Sequence, residues 1–145
     1  MEGLPVKYSP GGAFTGARNV MSIVPGADHI GEVQAWNVDT GARVWTHNFA
    51  KSSNWGPLLA TGGGLVFSGG TSDRMFRAFD ARTGKVLWEF PTASGVIGQP
   101  SSFALGGRQY VAVQSGWGID ARGMQTRLNA IRPGEFPDVP EGGAV

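Results

Sequence analysis

The sequence contains no cysteine among its 145 residues, so it can form neither disulfide bonds nor thiolate metal sites. It also has no long apolar run, and its first segment, MEGLPVKYSPGG, has no apolar core behind a basic start. A membrane-spanning helix needs about 18 or more apolar residues, and a secretory signal needs a shorter apolar core. Neither a membrane span nor an export signal is therefore predicted in the sequence as given.

Charge is also scarce and balanced. Lysine and arginine number 12, aspartate and glutamate number 11, and the formal net charge is +1. No basic block or stripe interrupts this balance, and a protein that binds nucleic acid or an acidic membrane by bulk electrostatics needs one. We therefore expect neither nucleic acid nor an acidic membrane as a partner.

Glycine is what the sequence has in abundance. There are 24 glycines and 9 prolines without a triplet period, together with 41% hydrophobic and 10% aromatic residues. This composition supports a packed core with many tight turns, and it argues against a collagen-like or disordered chain. Turn-rich β structure is the prediction.

One eleven-residue phrase occurs twice. AWNVDTGARVW at 35–45 and AFDARTGKVLW at 78–88 place Ala, Gly and Trp at positions one, seven and eleven, 43 residues apart. Four strand-like segments fall within each period, which is typical of a β-propeller blade. A single four-stranded sheet cannot cover both its faces, so blades stack on one another through a repeated face. The predicted fold class is all-β, a partial β-propeller of about two four-stranded blades.

Three regions follow from this pattern. Residues 1–30 form a loop-rich lead-in with at most one strand, residues 31–118 hold the two blade repeats, and residues 119–145 are a C-terminal loop. Within that loop the pattern of 121–131 predicts a short amphipathic helix that ends before Pro133, and another strand is expected at 142–145. Because two blades alone would leave open sheet edges, we expect the chain to be part of a longer protein.

The repeated phrase assigns structural roles. Gly41 and Gly84 lie in turns that need a positive φ. Trp45 and Trp88 are predicted to bury their indoles between neighbouring blades, and for Trp88→Ala we expect a loss of about 3–5 kcal/mol.

Several polar residues are predicted to have no site chemistry. His29 and His47 have no carboxylate or cysteine partner at the spacing of metal ligands, so a metal site there is not expected. Three aspartates lie at turns, where Asp accepts hydrogen bonds from backbone N–H groups. They are Asp39, Asp73 and Asp80. No catalytic and no metal-binding residue is assigned in this chain.

The phrase resembles the tryptophan-docking motif of the pyrroloquinoline quinone (PQQ) dependent alcohol dehydrogenases. SNWGPLLATGGGLVFSGG at 53–70, RMFRAFDARTGKVLWEFPTASGVIGQP at 74–100 and GRQYVAVQSGWG at 107–118 are similar, in that order, to the C-terminal blades of the methanol/ethanol dehydrogenase family. FTGARNVMSIVPG at 14–26 extends the similarity over nearly the whole chain.

The resemblance implies the C-terminal portion of an eight-bladed periplasmic propeller that holds PQQ beside a calcium or lanthanide ion. Such an enzyme oxidises a primary alcohol to an aldehyde and passes electrons to a cytochrome c-type acceptor. In the family, the general base and the ligands of the ion come from earlier blades. The isolated chain is therefore expected to be inactive, with the remaining blades as its partners.

By the same resemblance, four residues are candidates for contact with PQQ. They are Trp55, in NWGPLL, and Gly116, Trp117 and Gly118, in the turn after the last repeat. Trp55 has ordinary core packing as its alternative, and the glycines have an ordinary tight turn. The alternative function is a non-catalytic PQQ-repeat propeller scaffold that binds protein partners.

Overall fold

The computed structural model describes residues 2–3, 10–11, 17–18, 20–118, 120–140 and 142–144. These residues form short strands and one helix. In chain order the elements are β1 (Glu2–Gly3), β2 (Ala17–Arg18), β3 (Gly31–Trp36), β4 (Arg43–Phe49), β5 (Leu58–Ala60), β6 (Leu65–Ser68), β7 (Met75–Asp80), β8 (Val86–Pro91), β9 (Ser101–Leu105), β10 (Arg108–Ala112), β11 (Ser115–Gly116), α1 (Ala121–Ile131) and β12 (Gly143–Ala144).

One complete antiparallel sheet lies at the centre of the repeats, with the strand order β5-β6-β7-β8. On either side in sequence is a two-stranded hairpin, β3–β4 before it and β9–β10 after it. The predicted all-β partial propeller is confirmed. The eight strands divide as two, four and two, so the complete sheet joins the second half of one sequence repeat to the first half of the next.

The two copies of the phrase adopt the same local geometry. Each hairpin has its register shift at the same position, after Ala35 in one and after Ala78 in the other. Gly41 has a φ of 67° and Gly84 a φ of 69°, in the left-handed region that glycine adopts without steric cost. These positive φ values confirm the predicted turn role of both glycines.

A polar side chain closes each of these turns. Asp80 Oδ1 accepts hydrogen bonds from the N–H groups of Arg82 (3.0 Å) and Thr83 (2.8 Å). In the first copy, Asn37 Oδ1 accepts from the N–H groups of Asp39 and Thr40, each at 2.9 Å. The turn role predicted for Asp39 thus belongs to Asn37, because Asn37 is the residue 43 positions before Asp80 and stands where its side chain faces the turn amides.

Trp45 joins the β3–β4 hairpin to the four-stranded sheet. Its indole stacks on Phe79 with a centroid distance of 6.5 Å, and its Nε1 donates to the Ala81 carbonyl at 2.9 Å. A Cβ on Gly84 would lie 2.5 Å from this indole, so only glycine leaves room for it. Val33, Phe49 and Phe79 form the core beneath. The predicted docking role of Trp45 is confirmed.

Trp88 does not share this burial. Its side chain is 48% exposed and contacts Phe76 and Phe90 of its own sheet, at centroid distances of 6.4 and 5.9 Å. The prediction that Trp88 is buried between blades is wrong for the described structure, because no third copy of the phrase lies next to it. The loss of stability expected for Trp88→Ala is therefore smaller than the value expected from the sequence.

Helix α1 occupies the place in the sequence where a third copy would fall. Position 127 holds Arg instead of the turn glycine, and position 131 holds Ile instead of the docking tryptophan. Asp120 Oδ1 caps the helix by accepting a hydrogen bond from the Gly123 N–H at 2.9 Å. The buried face of the helix contacts the β4–β5 connection, where Gln125 Nε2 donates to the Lys51 carbonyl at 3.0 Å. The helix spans the segment for which the sequence pattern predicted it.

The lead-in is loop-rich where it is described. Strands β1 and β2 pair with each other, so the lead-in holds two short strands where at most one is expected from the sequence. Residues 20–30 form turns and irregular backbone. Residues 1, 4–9, 12–16 and 19 of this region, including most of the FTGARN part of the matched segment, lie outside the described residues. Across the ranges that the structure describes, no helix has the length and apolar character of a membrane span.

Candidate cofactor site

Two of the residues predicted to contact a cofactor lie against each other. The rings of Trp55 and Trp117 meet edge to face, with centroids 5.7 Å apart and planes at 87°. Both side chains are half-buried. Trp55 precedes the four-stranded sheet and Trp117 follows the last hairpin, so the tertiary fold brings together residues that are far apart in the sequence.

Close backbone packing fixes Trp55. Its N–H donates to the carbonyl of Gly70 at 3.1 Å. Gly70 has a φ of 84°, and a Cβ there would collide with the backbone of Gly56. Because both Gly56 and Gly70 lack a side chain, the two backbone segments pack in direct contact. This contact fixes the position of the Trp55 indole.

Trp117 is fixed by two groups that the sequence reasoning missed. A Cβ at Gly95 would overlap the six-membered ring of Trp117, so Gly95 forms the seat of the indole. Trp117 Nε1 donates to the carbonyl of Pro140 at 2.8 Å. No sequence pattern identifies Pro140 as an acceptor, because any residue's carbonyl can fill that role.

Gly116 and Gly118 flank this ring. The Gly116 N–H donates to the carbonyl of Gly95 at 2.6 Å, and Gly116 pairs with Gly143 of β12. A Cβ on Gly116 would meet no atom within 4 Å, whereas one on Gly118 would lie 3.1 Å from Ile97 Cδ1. Open space therefore adjoins the backbone at Gly116, and the strand expected at 142–145 is found at Gly143–Ala144, with residue 145 outside the described residues.

Two buried polar atoms, on the residues before Trp55 and before Gly95, have no hydrogen-bond partner within the described part of the chain. They are Asn54 Oδ1, next to Trp55, and Ser94 Oγ, next to the seat residue Gly95. A buried polar atom without a partner costs free energy, on the order of 1–3 kcal/mol. Such atoms in this region fit a polar group that the chain itself does not supply.

Trp55 also borders a groove of about 480 Å³. Its lining is mostly apolar and comes from the lead-in and from helix α1. The residues involved include Met21, Ile23, Val24, His29, Met124 and Leu128. Trp55 therefore contacts Trp117 and also lines an apolar recess, and such a recess suits an alkyl group.

The charged network of the chain lies elsewhere and is structural. Arg77, 8% exposed, hydrogen-bonds to Asp73 and to Thr71 Oγ1 (2.9 Å), and its Nε donates to Glu89 Oε1 at 2.8 Å. Partial burial alone would raise the pKa of Asp73, but the hydrogen bonds from Arg77 and Thr71 outweigh it and keep that pKa below its ordinary value. Asp73 also accepts from the Met75 N–H, as expected of a turn aspartate.

His47 packs in the core between the β3–β4 hairpin and the four-stranded sheet. Its ring meets those of Phe49 and Phe79 edge to face, each with a centroid distance of 5.0 Å. Burial lowers the pKa of His47, and the positive charge of Arg77 lowers it further. Among the described residues no group of three His, Cys, Asp or Glu side chains could hold a metal ion.

Comparison with known proteins relates the sequence of this chain to one family. The profile described as "Glucose/ethanol/alcohol dehydrogenase, beta-propeller domain" matches residues 47–111. The quinoprotein alcohol dehydrogenase PedH of Pseudomonas putida is 44% identical over 115 residues, which cover 78% of this chain and 18% of PedH. The chain belongs to the quinoprotein alcohol dehydrogenase family.

Other quinoproteins agree in sequence and in structure. The lanthanide-dependent methanol dehydrogenase of Methylorubrum extorquens is 40% identical over 114 residues, covering 78% of this chain and 19% of that enzyme. A europium-containing methanol dehydrogenase structure superposes with a TM-score of 0.66 at 34% identity, covering 81% of this chain and 23% of the other. The chain thus spans about a fifth of the length of the curated relatives it matches.

Proposed function

We propose that this chain is the C-terminal portion of a PQQ-dependent alcohol dehydrogenase and supplies one wall of its PQQ site. The observation that carries the proposal is the meeting of Trp55 and Trp117, with the open backbone of Gly116 beside them. The bound cofactor would supply the hydride acceptor for oxidation of a primary alcohol to an aldehyde, and a general base from another blade would take the hydroxyl proton.

The residues present fit one part of this cofactor. An indole face and glycine backbone suit a flat conjugated ring. The buried Ser94 hydroxyl, which can donate to a carbonyl oxygen, has no partner in the described chain, and neither has the buried acceptor Asn54 Oδ1. Among the described residues, no lysine or arginine lines the groove beside Trp55. Groups that bind the carboxylates of PQQ, the general base and the ligands of a calcium or lanthanide ion would come from the other blades.

The chain's own residues would position the cofactor and shield it from water. Trp55 would pack against the ring system, while Trp117, held by Gly95 and the Pro140 carbonyl, would keep the Trp55 indole in place and exclude water. Gly116 and Gly118 would let the backbone approach the cofactor's rim. The apolar groove would accept the alkyl part of the alcohol.

Electron acceptor and location are part of the proposal. Two relatives carry cytochrome c in their names, a methanol dehydrogenase subunit 1 of Methylobacterium organophilum and a 1-butanol dehydrogenase of Thauera butanivorans. We propose a cytochrome c-type acceptor and a periplasmic location for the complete enzyme.

A chimera tests the proposal. The matching segment of PedH would be replaced by this chain, and alcohol-dependent dye reduction would be measured with PQQ and a lanthanide or calcium ion. We expect activity within about tenfold of the parent, and Trp55→Ala and Trp117→Ala should each weaken PQQ binding by at least about tenfold. Trp45→Phe is the matched control, because it should lower thermal stability without changing the affinity for PQQ.

Two results would contradict the proposal. A folded chimera that binds no PQQ would favour the non-catalytic propeller scaffold. Ethanol-dependent turnover by the 145-residue chain alone would show that the base and the metal ligands do not come from elsewhere.

A further inference from the structure

The groove beside Trp55 is built by several separate segments of this chain. The lead-in, the start of β3, the β4–β5 connection and helix α1 all contribute side chains to it, and most of these side chains are apolar. Its volume of about 480 Å³ lies within the range of about 300–1,000 Å³ that is typical of small-molecule sites. The groove is therefore a candidate subsite for a ligand, and its walls indicate which ligand.

Helix α1 contributes two apolar side chains to this groove. Met124 and Leu128 are four residues apart, so they lie on the same face of the helix. The Asp120 cap fixes the start of the helix. Gln125 is 2% exposed and donates to the Lys51 carbonyl at 3.0 Å, which attaches the helix to the β4–β5 connection. The position of this wall is thus set by contacts within the chain.

The other walls are held by backbone contacts. The Ile30 N–H donates to the Phe49 carbonyl at 3.2 Å, which joins the lead-in to β4. A Cβ on Gly31 would lie 2.4 Å from the Ser52 carbonyl oxygen, so the start of β3 packs directly on the connection that carries Trp55. Because Trp55 itself lines the groove, the groove is continuous with the proposed cofactor site.

The charged groups at the groove are mainly acidic. Glu32 and His29 line it, and His29 Nε2 lies 3.6 Å from Glu32 Oε2 while His29 Nδ1 lies 2.5 Å from Asp28 Oδ1. The hydrogen bond with His29 lowers the pKa of Asp28, so this carboxylate is charged at neutral pH. Lys51 and Arg132 border a separate recess on the other side of His29's segment, and neither lines the groove. An anionic group in the groove would therefore meet two carboxylates and at most one imidazolium.

The groove is also larger than a short alcohol needs. A water-sized group occupies about 30 Å³, so a chain of eight such groups fills only about half of the groove. Ethanol would leave most of the apolar walls in contact with water. Each further methylene that enters removes apolar surface from water, and full burial of one methylene favours binding by about fourfold.

We propose that this groove selects the substrate of the complete enzyme. A neutral primary alcohol with an unbranched chain of about six to eight carbons is favoured over ethanol, and an ω-hydroxy carboxylate of the same length is rejected. Met124 and Leu128 determine the preference for chain length, and Glu32 determines the rejection of an anionic tail. This inference rests on the proposed PQQ site, because the alkyl chain reaches the groove only if the hydroxyl end is oxidised beside Trp55.

Steady-state kinetics of the PedH chimera test the preference for chain length. We expect kcat/KM to rise about threefold for each methylene from ethanol to 1-hexanol. Met124→Gln replaces the thioether with a polar amide of similar size and should lower the ratio of kcat/KM for 1-hexanol to that for ethanol by about tenfold. Met75→Gln is the matched control, since Met75 is also half-buried but lies outside the groove, and it should leave this ratio unchanged.

The same chimera tests the rejection of an anionic tail. The value of kcat/KM for 1-hexanol should exceed that for 6-hydroxyhexanoate by at least about tenfold, and Glu32→Gln should narrow this difference by about fivefold because it removes one like charge. Asp39→Asn is the matched control, an exposed acidic residue outside the groove, and should not change the difference.

A second measurement needs no cofactor. The 145-residue chain is labelled with carbon-13 in its methionine methyl groups and titrated with 1-hexanol. The methyl signals of Met21 and Met124, which line the groove, should shift and saturate, while the signal of Met75 should not move. Titration with 6-hydroxyhexanoate should shift none of the three.

The outcomes separate this inference from the proposed function. A chimera that binds PQQ and oxidises ethanol without any dependence on chain length would overturn the inference, because another segment of the longer protein would then fill the groove. Equal effects of Met124→Gln and Met75→Gln, or unmoved Met21 and Met124 signals in a folded chain, would also overturn it. A chimera that binds no PQQ contradicts the proposed function instead, and the methyl signals then decide whether the groove binds an alkyl chain. Circular dichroism checks folding, and the kinetic ratios decide if the 145-residue chain does not fold alone.

Discussion

Truncation of Trp45 and truncation of Trp88 should lower the free energy of unfolding by very different amounts. They occupy the same position in the phrase, and each lies opposite an alanine across its hairpin, Ala35 for Trp45 and Ala78 for Trp88. Trp45→Ala removes the contacts with a second sheet, whereas Trp88→Ala removes contacts with residues of its own sheet only. The pair therefore separates docking from all local effects of a tryptophan in this hairpin.

The magnitudes follow from what each indole touches. Full truncation of a buried tryptophan costs about 3–5 kcal/mol. Trp45 is half-buried, loses its stack on Phe79 and gives up a hydrogen bond worth about 1 kcal/mol to the Ala81 carbonyl, so we expect about 3 kcal/mol. Trp88 is 48% exposed and makes no such hydrogen bond in the described structure, so we expect about 1 kcal/mol.

Urea unfolding measures both values. The midpoint should fall further for Trp45→Ala, with the slope m unchanged, because the area exposed on unfolding is nearly the same. A loss for Trp88→Ala that equals or exceeds the loss for Trp45→Ala would refute the docking of one sheet on the other as described.

Two further predictions test the same core. Gly41→Ala should cost about 1 kcal/mol in urea unfolding, because Ala is strained at positive φ, and Gly84→Ala should cost at least about 1–2 kcal/mol more, because its Cβ would displace the Trp45 ring. The lowered pKa of His47 means that the unfolded chain binds its proton more readily, so stability should fall as pH drops below the ordinary value of 6.5. His47→Gln should flatten this loss below pH 6.5 in unfolding curves.

Each of these has an outcome that contradicts it. Equal costs at Gly41 and Gly84 would mean that the Trp45 ring does not rest on Gly84. An unchanged pH profile in His47→Gln would mean that protonation of His47 does not cause this loss. A separate loss at lower pH is expected from Asp73. Its lowered pKa stabilises the fold above about 3.8, and this contribution is lost as pH falls further.

The candidate site could be predicted from sequence in part. The resemblance identified Trp55 and the 116–118 turn, and the structure brings Trp55 against Trp117. The seat at Gly95 and the acceptor at Pro140 were not predicted, because glycine and a backbone carbonyl carry no chemical signature until a ring is placed against them.

The sequence by itself determined the period, the two turns and the helix. Each of these depends on interactions within about ten residues, such as a glycine with positive φ, a side chain that accepts from the next amides, or an apolar stripe ended by proline. Such interactions are the same wherever the segment lies. They are therefore visible in the order of residues alone.

Only the tertiary structure decided where one sheet ends and the next begins, and which of two identical tryptophans is buried. The phrase around Trp88 repeats the phrase around Trp45, but Trp45 faces Phe79 and Gly84 while Trp88 has no such surface beside it among the described residues. Burial is a property of both sides of a contact. A repeat specifies one side at each occurrence, and the chain's path through space determines whether the other side is there.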